Sequence, residues 1–268
     1  MGDRVVAMHQ PNFIPWLGFF YKLARADIFI LVDSIQFSAK NYTNRAGVRS
    51  NERAMWLTVP VEHHFGQLIK DVAIVRTEPW RANHLAILRG CYGKYPFFDE
   101  IFPLVEKWYG KPYDDRLAVF NEGIIRNVAE ILGLHTEIVR SSALGCAGAK
   151  TDLILCLARS VGASVYLSGQ GGANYQDEQE FERAGIGLHY SDFVHPVYQQ
   201  RHLPFIAGLS ILDMLFSCGP LAVREVLHAR SEPARMVHPG EPSSAAGLSQ
   251  GLNSAPQRTC AFRRRETW

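Results

Sequence analysis

The opening 33 residues leave this chain few choices of fold. "VVAMH" (Val5–His9) has the character of a short buried strand, and "DIFILVD" (Asp27–Asp33) is a second apolar run bracketed by acids. Between them lie a proline-bounded loop and "GFFYKLARA" (Gly18–Ala26), whose aromatic and aliphatic positions suit a helix. Strand, loop, helix and strand within about 30 residues is the length of a βαβ unit. Strands this continuously apolar belong to a parallel sheet covered on both faces.

The rest of the chain extends that beginning. "MWLTVPV" (Met55–Val61) and "IKDVAIV" (Ile69–Val75) are strand candidates, the first ended by Pro60, which has no N–H to give a ladder. From Trp80 to Leu134 apolar residues recur three and four apart, predicting helices, with Gly133 as the stop of the last one. The stretch "KYPFFDEIFPLVEKWY" (Lys94–Tyr109) reads most simply as a core helix. "TEIVR" (Thr136–Arg140) is a strand, "KTDLILCLARSVG" (Lys150–Gly162) a helix with Thr151 as its cap, and "ASVYLSG" (Ala163–Gly169) another strand. "GLSILDMLFSCG" (Gly208–Gly219) is an amphipathic helix ending on glycine. The expected class is α/β, a parallel βαβ core with a helical middle segment. Residues 1–228 read as one domain. Residues 229–268, rich in Ser, Pro, Ala and Gly and without apolar periodicity, read as a disordered tail.

Charge narrows the partners. The formal net charge is +2, and the last 38 residues, with five Arg against three acids, supply all of it. A body balanced at 23 basic and 23 acidic residues lacks the basic face that nucleic acid requires. No apolar stretch approaches the roughly 20 residues that span a bilayer, so membrane insertion is not expected. No signal peptide is recognisable, and the Met-Gly start lacks the Ser or Thr of a myristoylation signal; a cytoplasmic protein is expected. The five cysteines (Cys91, Cys146, Cys156, Cys218, Cys260) form no C-x-x-C and are expected as reduced, buried thiols. The ten histidines include His63-His64 but no H-E-x-x-H, so neither a metal nor a cofactor is expected.

Ligands of α/β proteins bind at loops just past strand ends, and three such loops carry polar residues. In "HQPNFIPWLG" (His9–Gly18), Pro11 and Pro15 restrict His9, Gln10 and Ile14, which suits a preorganised rim bearing His9, Gln10 and Asn12. The alternative is a hydrophobic plug. "DSIQFSAKNYTNR" (Asp33–Arg45) offers Asp33, Gln36, Lys40, Asn44 and Arg45, the last suited to a carboxylate or phosphate. It reads equally as a solvated loop with an internal ion pair. "YLSGQGGANYQD" (Tyr166–Asp177) places Gly169, Gly171 and Gly172 where backbone amides can meet an anion, but matches neither G-x-G-x-x-G nor the Walker pattern. "DFVHPVYQQ" (Asp192–Gln200) adds His195, Tyr198 and Gln199, and the two histidines are candidate general bases near neutral pH.

Two known families bear on these residues. The opening is similar in layout to the H-x-G-H nucleotidyltransferases, yet alignment on Gly18 puts Trp16 and Phe19 at the two histidine positions. The stronger resemblance is to the WbqC-like protein family, bacterial proteins met in O-antigen and other biosynthetic gene clusters. "HQPNFIPWLGFFYK", "ADIFILVDSIQF" with Asn44-Arg45, "WLTVPV", "YLSGQGGANYQD", "HPVYQQ" and "LSILDMLFSCGP" occur in family order over roughly Val5 to Pro220. Tyr-Gln-Asp at 175–177 departs from the family's Tyr-Leu-Asp but keeps Tyr175 and Asp177. The resemblance implies a small-molecule substrate and the decoration of amino sugars or related precursors by amide formation. Under it, His9 or His195 would deprotonate an amine with Asp33 orienting the ring. Gly169 to Gly172 would stabilise the oxyanion beside Ser168 and Tyr175, and Arg45 would hold an anionic group. The competing expectations are nucleotidyl transfer or ATP-dependent ligation on the same sheet, and a non-enzymatic partner of a biosynthetic complex or homo-oligomer.

Overall fold

The computed structural model describes residues 2–77, 79–111, 115–174 and 176–229. Tyr175, Cys260 and all but the first residue of the expected tail lie outside them.

The expected βαβ unit is there: β1 (Val5–His9), α1 (Leu17–Leu23) and β2 (Ile28–Leu31), the two strands parallel. Three more parallel strands complete the sheet: β7 (Glu137–Arg140), β8 (Val165–Ser168) and β9 (Gly187–Tyr190). Their order across it is β7-β2-β1-β8-β9. Connections therefore run outward to one side of β1 and then restart on its other side. β1 and β8 are neighbours at that reversal.

Alternation along the central strands explains why both are so apolar. Val6 and Met8 of β1 and Ile28 and Ile30 of β2 join one core cluster, while Ala7, Phe29 and Leu31 join the other. The smaller cluster is closed by α5 (Lys150–Ser160), through Leu153 and Leu157, and by Phe181 of α6 (Glu178–Ala184). The larger one gathers α1, α2 (Trp80–Tyr92), α3 (Phe98–Gly110), α4 (Leu117–Ile131) and α7 (Ile211–His228).

Several expected boundaries move. The loop read from Asp33 to Arg45 ends in a strand, β3 (Arg45–Ser50), which forms an antiparallel hairpin with β4 (Arg53–Thr58) outside the main sheet. Pro60 does interrupt the run "MWLTVPV": it separates β4 from the two-residue β5 (Val61–Glu62). "IKDVAIV" gives one 3₁₀ turn and β6 (Ala73–Ile74), paired with β5. Thr151 does not cap α5; Ala149 holds that place, and the Thr151 hydroxyl accepts from the Asp177 amide at 3.3 Å. Gly219 breaks the last helix as expected, at φ 78°, but a further turn sequence follows Pro220 to His228. Neither α6 nor β9 was expected, since α6 is mostly charged and buries only Phe181, and β9 has no buried residue.

The cysteine expectation is corrected for one pair. Cys146 and Cys156 are joined as a disulfide between the segment before α5 and α5 itself, while Cys91 is half-buried and Cys218 buried outside any disulfide. Fold contact between positions ten apart brought them together, and no spacing rule had marked them.

Candidate functional site

A cleft of about 690 Å³ opens beyond the C-terminal ends of β1 and β8, at the reversal of strand order. Open parallel sheets bind their ligands in this crevice, where neighbouring loops leave in opposite directions. The cleft volume is within the range of pockets that hold drug-sized molecules.

One wall is the loop from His9 to Trp16. His9, Gln10, Asn12 and Trp16 line the cleft, and the backbone is fixed from behind. Asn121, fully buried on α4, donates through Nδ2 to the Pro11 and Thr43 carbonyls, both at 2.7 Å. The Thr43 hydroxyl donates to Gln10 Oε1 at 3.1 Å, and the Phe13 amide donates to the Tyr42 carbonyl at 2.9 Å. Ile14, the residue restricted by Pro15, has φ 40°. A β-branched residue there is strained, and burial to 2% exposure holds it. The plug and the rim are thus one structure: Phe13, Ile14, Phe19 and Phe20 pack the core while the polar side chains face the cleft.

The residue that sets the electrostatics was overlooked in the sequence. Lys22 sits in the all-buried helix α1, is 7% exposed, and donates from Nζ to the Met8 carbonyl at 3.0 Å. Among the described residues no carboxylate pairs with it. Burial lowers its pKa from 10.5 to about 8, so it is mostly charged at neutral pH. Lys150, itself at φ 50°, lines the cleft as well, and no Asp or Glu among the described residues does. A nearly neutral protein thus presents a cleft of one sign, which concentrates anions.

The opposite wall is the glycine loop. Gly169, Gln170, Gly171 and Gly172 line the cleft, partly as a 3₁₀ turn (Gln170–Asn174). A side-chain carbon at Gly169 would start 3.8 Å from Lys22 Nζ, so the bare backbone approaches the ammonium. At Gly172 such a carbon would overlap Ser168 Oγ and stand 2.8 Å from the Gln176 amide group. Gly18 is equally constrained, because a side chain there would overlap the Trp16 indole lying across it. Trp16 and Phe19, the aromatics at the two H-x-G-H histidine positions, both line the cleft.

His9 is neutral here. Burial, and next the Lys22 charge, lower its pKa from 6.5 to about 3, opposed by the Gln10 carbonyl 3.1 Å from Nδ1. That carbonyl can only accept, so Nδ1 carries the proton and Nε2 keeps its lone pair. Burial thus holds His9 well below the near-neutral range expected of it.

The remaining candidates lie elsewhere. Asp33 is fully buried at the end of β2, and its carboxylate accepts from Ser141 Oγ at 3.0 Å, the Ser142 amide at 2.9 Å and Ser142 Oγ at 2.8 Å. It ties β2 to the turn after β7 rather than orienting a histidine. Gln36 is exposed and bridges to Leu68. Asn44 is buried and donates to the Val59 carbonyl at 3.2 Å, and Arg45 opens β3. Neither residue lines the cleft. Ser168 lies beneath the glycine loop, fully buried, donating to the Gly169 carbonyl at 3.1 Å.

His195, Tyr198 and Gln199 belong to a different assembly. His195 is stacked on Trp16 at 6.4 Å and on Tyr198 at 6.2 Å, and burial lowers its pKa. Tyr198 donates to Asp213, fully buried on α7, at 2.6 Å. Gln199 is exposed; its neighbour Gln200 is buried, donates to Asp213 at 2.8 Å and accepts from the guanidinium of buried Arg49 at 2.6 Å. Tyr92 completes the hub, donating to Asp213 at 3.1 Å. This network anchors Tyr198 and Gln200, downstream of the cleft-lining Ser191 and Phe193, while the Ser191 amide itself donates to the Ser168 carbonyl at 2.8 Å.

Comparison with known proteins follows the geometry. The family model described as the WbqC-like protein family matches residues 10–225. An uncharacterized protein of Mycobacterium tuberculosis is 30% identical over 219 residues, covering 81% of this chain and 94% of the relative. No solved structure matches.

Proposed function

The chain belongs to the WbqC-like protein family, and from that premise we propose that it is a small-molecule transferase forming an amide on an amino sugar or related amine in a biosynthetic route. The observation that carries this reading is Lys22, a buried cation with no acid partner among the described residues, set against the glycine loop in a cleft that no described acid lines. An anionic group of the substrates would rest on Lys22, and the amides from Gly169 to Gly171 would meet the oxygen that becomes negative as the acyl carbon turns tetrahedral, the Gly172 amide being bound to the Gly169 carbonyl at 2.9 Å.

In this scheme the amine nitrogen attacks the acyl carbonyl and a C–N bond forms. His9 Nε2 accepts the amine proton. The tetrahedral intermediate then collapses, and the leaving group departs with the bonding electron pair and takes up a proton. Burial, the larger cause, makes His9 a weak base in the cleft. A smaller part of its depression comes from the Lys22 charge, so an anion bound to Lys22 would offset that part and raise the imidazole. Binding and activation are thereby coupled.

A second reading, nucleotidyl transfer or ATP-dependent ligation, draws on one observation, the position of the cleft where parallel sheets of this kind hold nucleotides. One experiment separates the two. Purified protein is incubated with nucleotide-linked amino sugars, acyl donors and ATP, beside His9→Ala and Lys22→Met variants, and products are read by mass spectrometry. A new amide mass, lost in both variants, supports amide transfer. Release of pyrophosphate or AMP supports the second reading. A silent screen from folded protein counts against both and favours a partner role in a complex.

A further inference from the structure

One cleft-lining aromatic residue, Tyr42, and the ring packed behind it, Trp56, have no use in amide transfer. Tyr42 and Trp56 are each 48% exposed and pack edge to face, with ring centroids 5.7 Å apart. Trp56 is on β4 opposite Gly47 of β3, and its ring covers the space left by that glycine, where a side-chain carbon would lie 3.8 Å from the indole. Packing over a strand glycine accounts for Trp56 but not for Tyr42, whose ring lines the cleft.

The backbone of Tyr42 is held firmly. Its carbonyl accepts from the Phe13 amide at 2.9 Å, its amide donates to Asn41 Oδ1 at 2.7 Å, and the following carbonyl is taken by Asn121 at 2.7 Å. A half-exposed ring on a fixed backbone is a stacking platform whose ordering cost has already been met, and bases stack on such rings whatever their sequence. The same cleft carries Lys22 and Lys150 and no described acid. A ligand that satisfies both features joins a planar ring to a multiply charged anion.

We infer that the cleft binds a nucleoside diphosphate moiety, with the base against Tyr42 and Trp56 and the phosphates at Lys22 and Lys150. This rests on the anion-binding reading of Lys22 and deepens it: the amine-bearing substrate arrives as its nucleoside diphosphate conjugate. The amine-bearing sugar, joined through the diphosphate, then lies beyond the phosphates, on the side of Lys22 and the glycine loop away from the base.

Calorimetry with UDP, ADP, ribose 5-phosphate and inorganic pyrophosphate tests it on wild type, Tyr42→Ala, Tyr42→Leu and Lys22→Met, all checked for folding by circular dichroism. The expected result is UDP or ADP binding that weakens about tenfold or more in both Tyr42 variants. Pyrophosphate should bind wild type and the Tyr42 variants alike, and Lys22→Met should lose both ligands. Nucleotide affinity unchanged in folded Tyr42→Leu overturns the stacking subsite, as does ribose 5-phosphate binding as tightly as ADP. Failure of every ligand on wild type overturns the anion role of Lys22 together with the inference. Amide transfer to a free amino sugar, without nucleotide binding, overturns the inference alone and leaves transfer standing.

Discussion

Replacing Lys22 by methionine should make the protein more stable while emptying its cleft of anions. The side chain is 7% exposed and has no acid partner among the described residues, so its charge is buried at a cost. The fall of its pKa from 10.5 to about 8 measures that cost: at about 1.4 kcal/mol per tenfold, charging it in the folded state is disfavoured by about 3 kcal/mol. Methionine keeps the length and apolar contacts of the stem. The variant gives up one charged hydrogen bond to the Met8 carbonyl, worth about 1.5–2 kcal/mol. The net gain at pH 7 is about 1–2 kcal/mol, or a rise in Tm of about 2–8 °C for a chain of this size.

The sign with pH follows from linkage. Below about pH 8 the lysine is protonated in both folded and unfolded chains, and the full penalty applies. Between about 8 and 10.5 the folded protein releases the proton while the unfolded chain keeps it, so wild-type stability rises with pH. The variant lacks this rise. Its advantage should therefore fall by about 3 kcal/mol through that window, cross zero within it and leave the wild type more stable by about 1–2 kcal/mol at pH 11, whatever the tyrosines contribute to both proteins. Thermal denaturation of the pair at half-unit pH steps reads it directly. A variant no more stable than wild type at pH 7, with a difference that stays flat to pH 11, would refute the reasoning and place water or a counter-ion beside Lys22.

Gly172→Ala should cost about 1–3 kcal/mol in urea unfolding and weaken anion binding, because the new carbon overlaps Ser168 Oγ beneath the loop. Asp213→Asn leaves three donors facing an amide and should cost about 2–4 kcal/mol; unchanged stability would show the hub to be dispensable. Closing a loop of ten residues is worth about 3 kcal/mol, so reductant should destabilise wild type by that amount and leave Cys146→Ser unaffected. Nitrogen-15 NMR should find His9 neutral down to about pH 4, and Lys22→Met should raise its pKa by removing a neighbouring charge. An imidazole titrating near 6.5 in the wild type would contradict the burial of the ring.

The sequence by itself determined the sheet. Alternation of Val6, Ala7 and Met8, and of Ile28, Phe29 and Ile30, between two cores is a local pattern, and any chain carrying it must cover both faces. It also determined which loops matter, since His9, Gln10, Asn12, Gly169, Gly171 and Gly172 all reach the cleft from strand ends that the apolar runs had marked. Tertiary structure decided the rest. Asp33 and Asn44 look as polar as Gln10 in sequence, yet Ser141, Ser142 and Val59 claim them from distant positions. Gln199 and Gln200 differ by one step along an extended segment, and only Gln200 reaches Asp213 and Arg49. Lys22 carried a faint local sign, a charge in a helix with no polar face. What sets it apart is the absence of any described acid around it and the nearness of Gly169, and both depend on β8 returning beside β1. Periodicity is written within a few residues of chain, whereas the charge and shape of a cleft are sums over segments that only the strand order brings together.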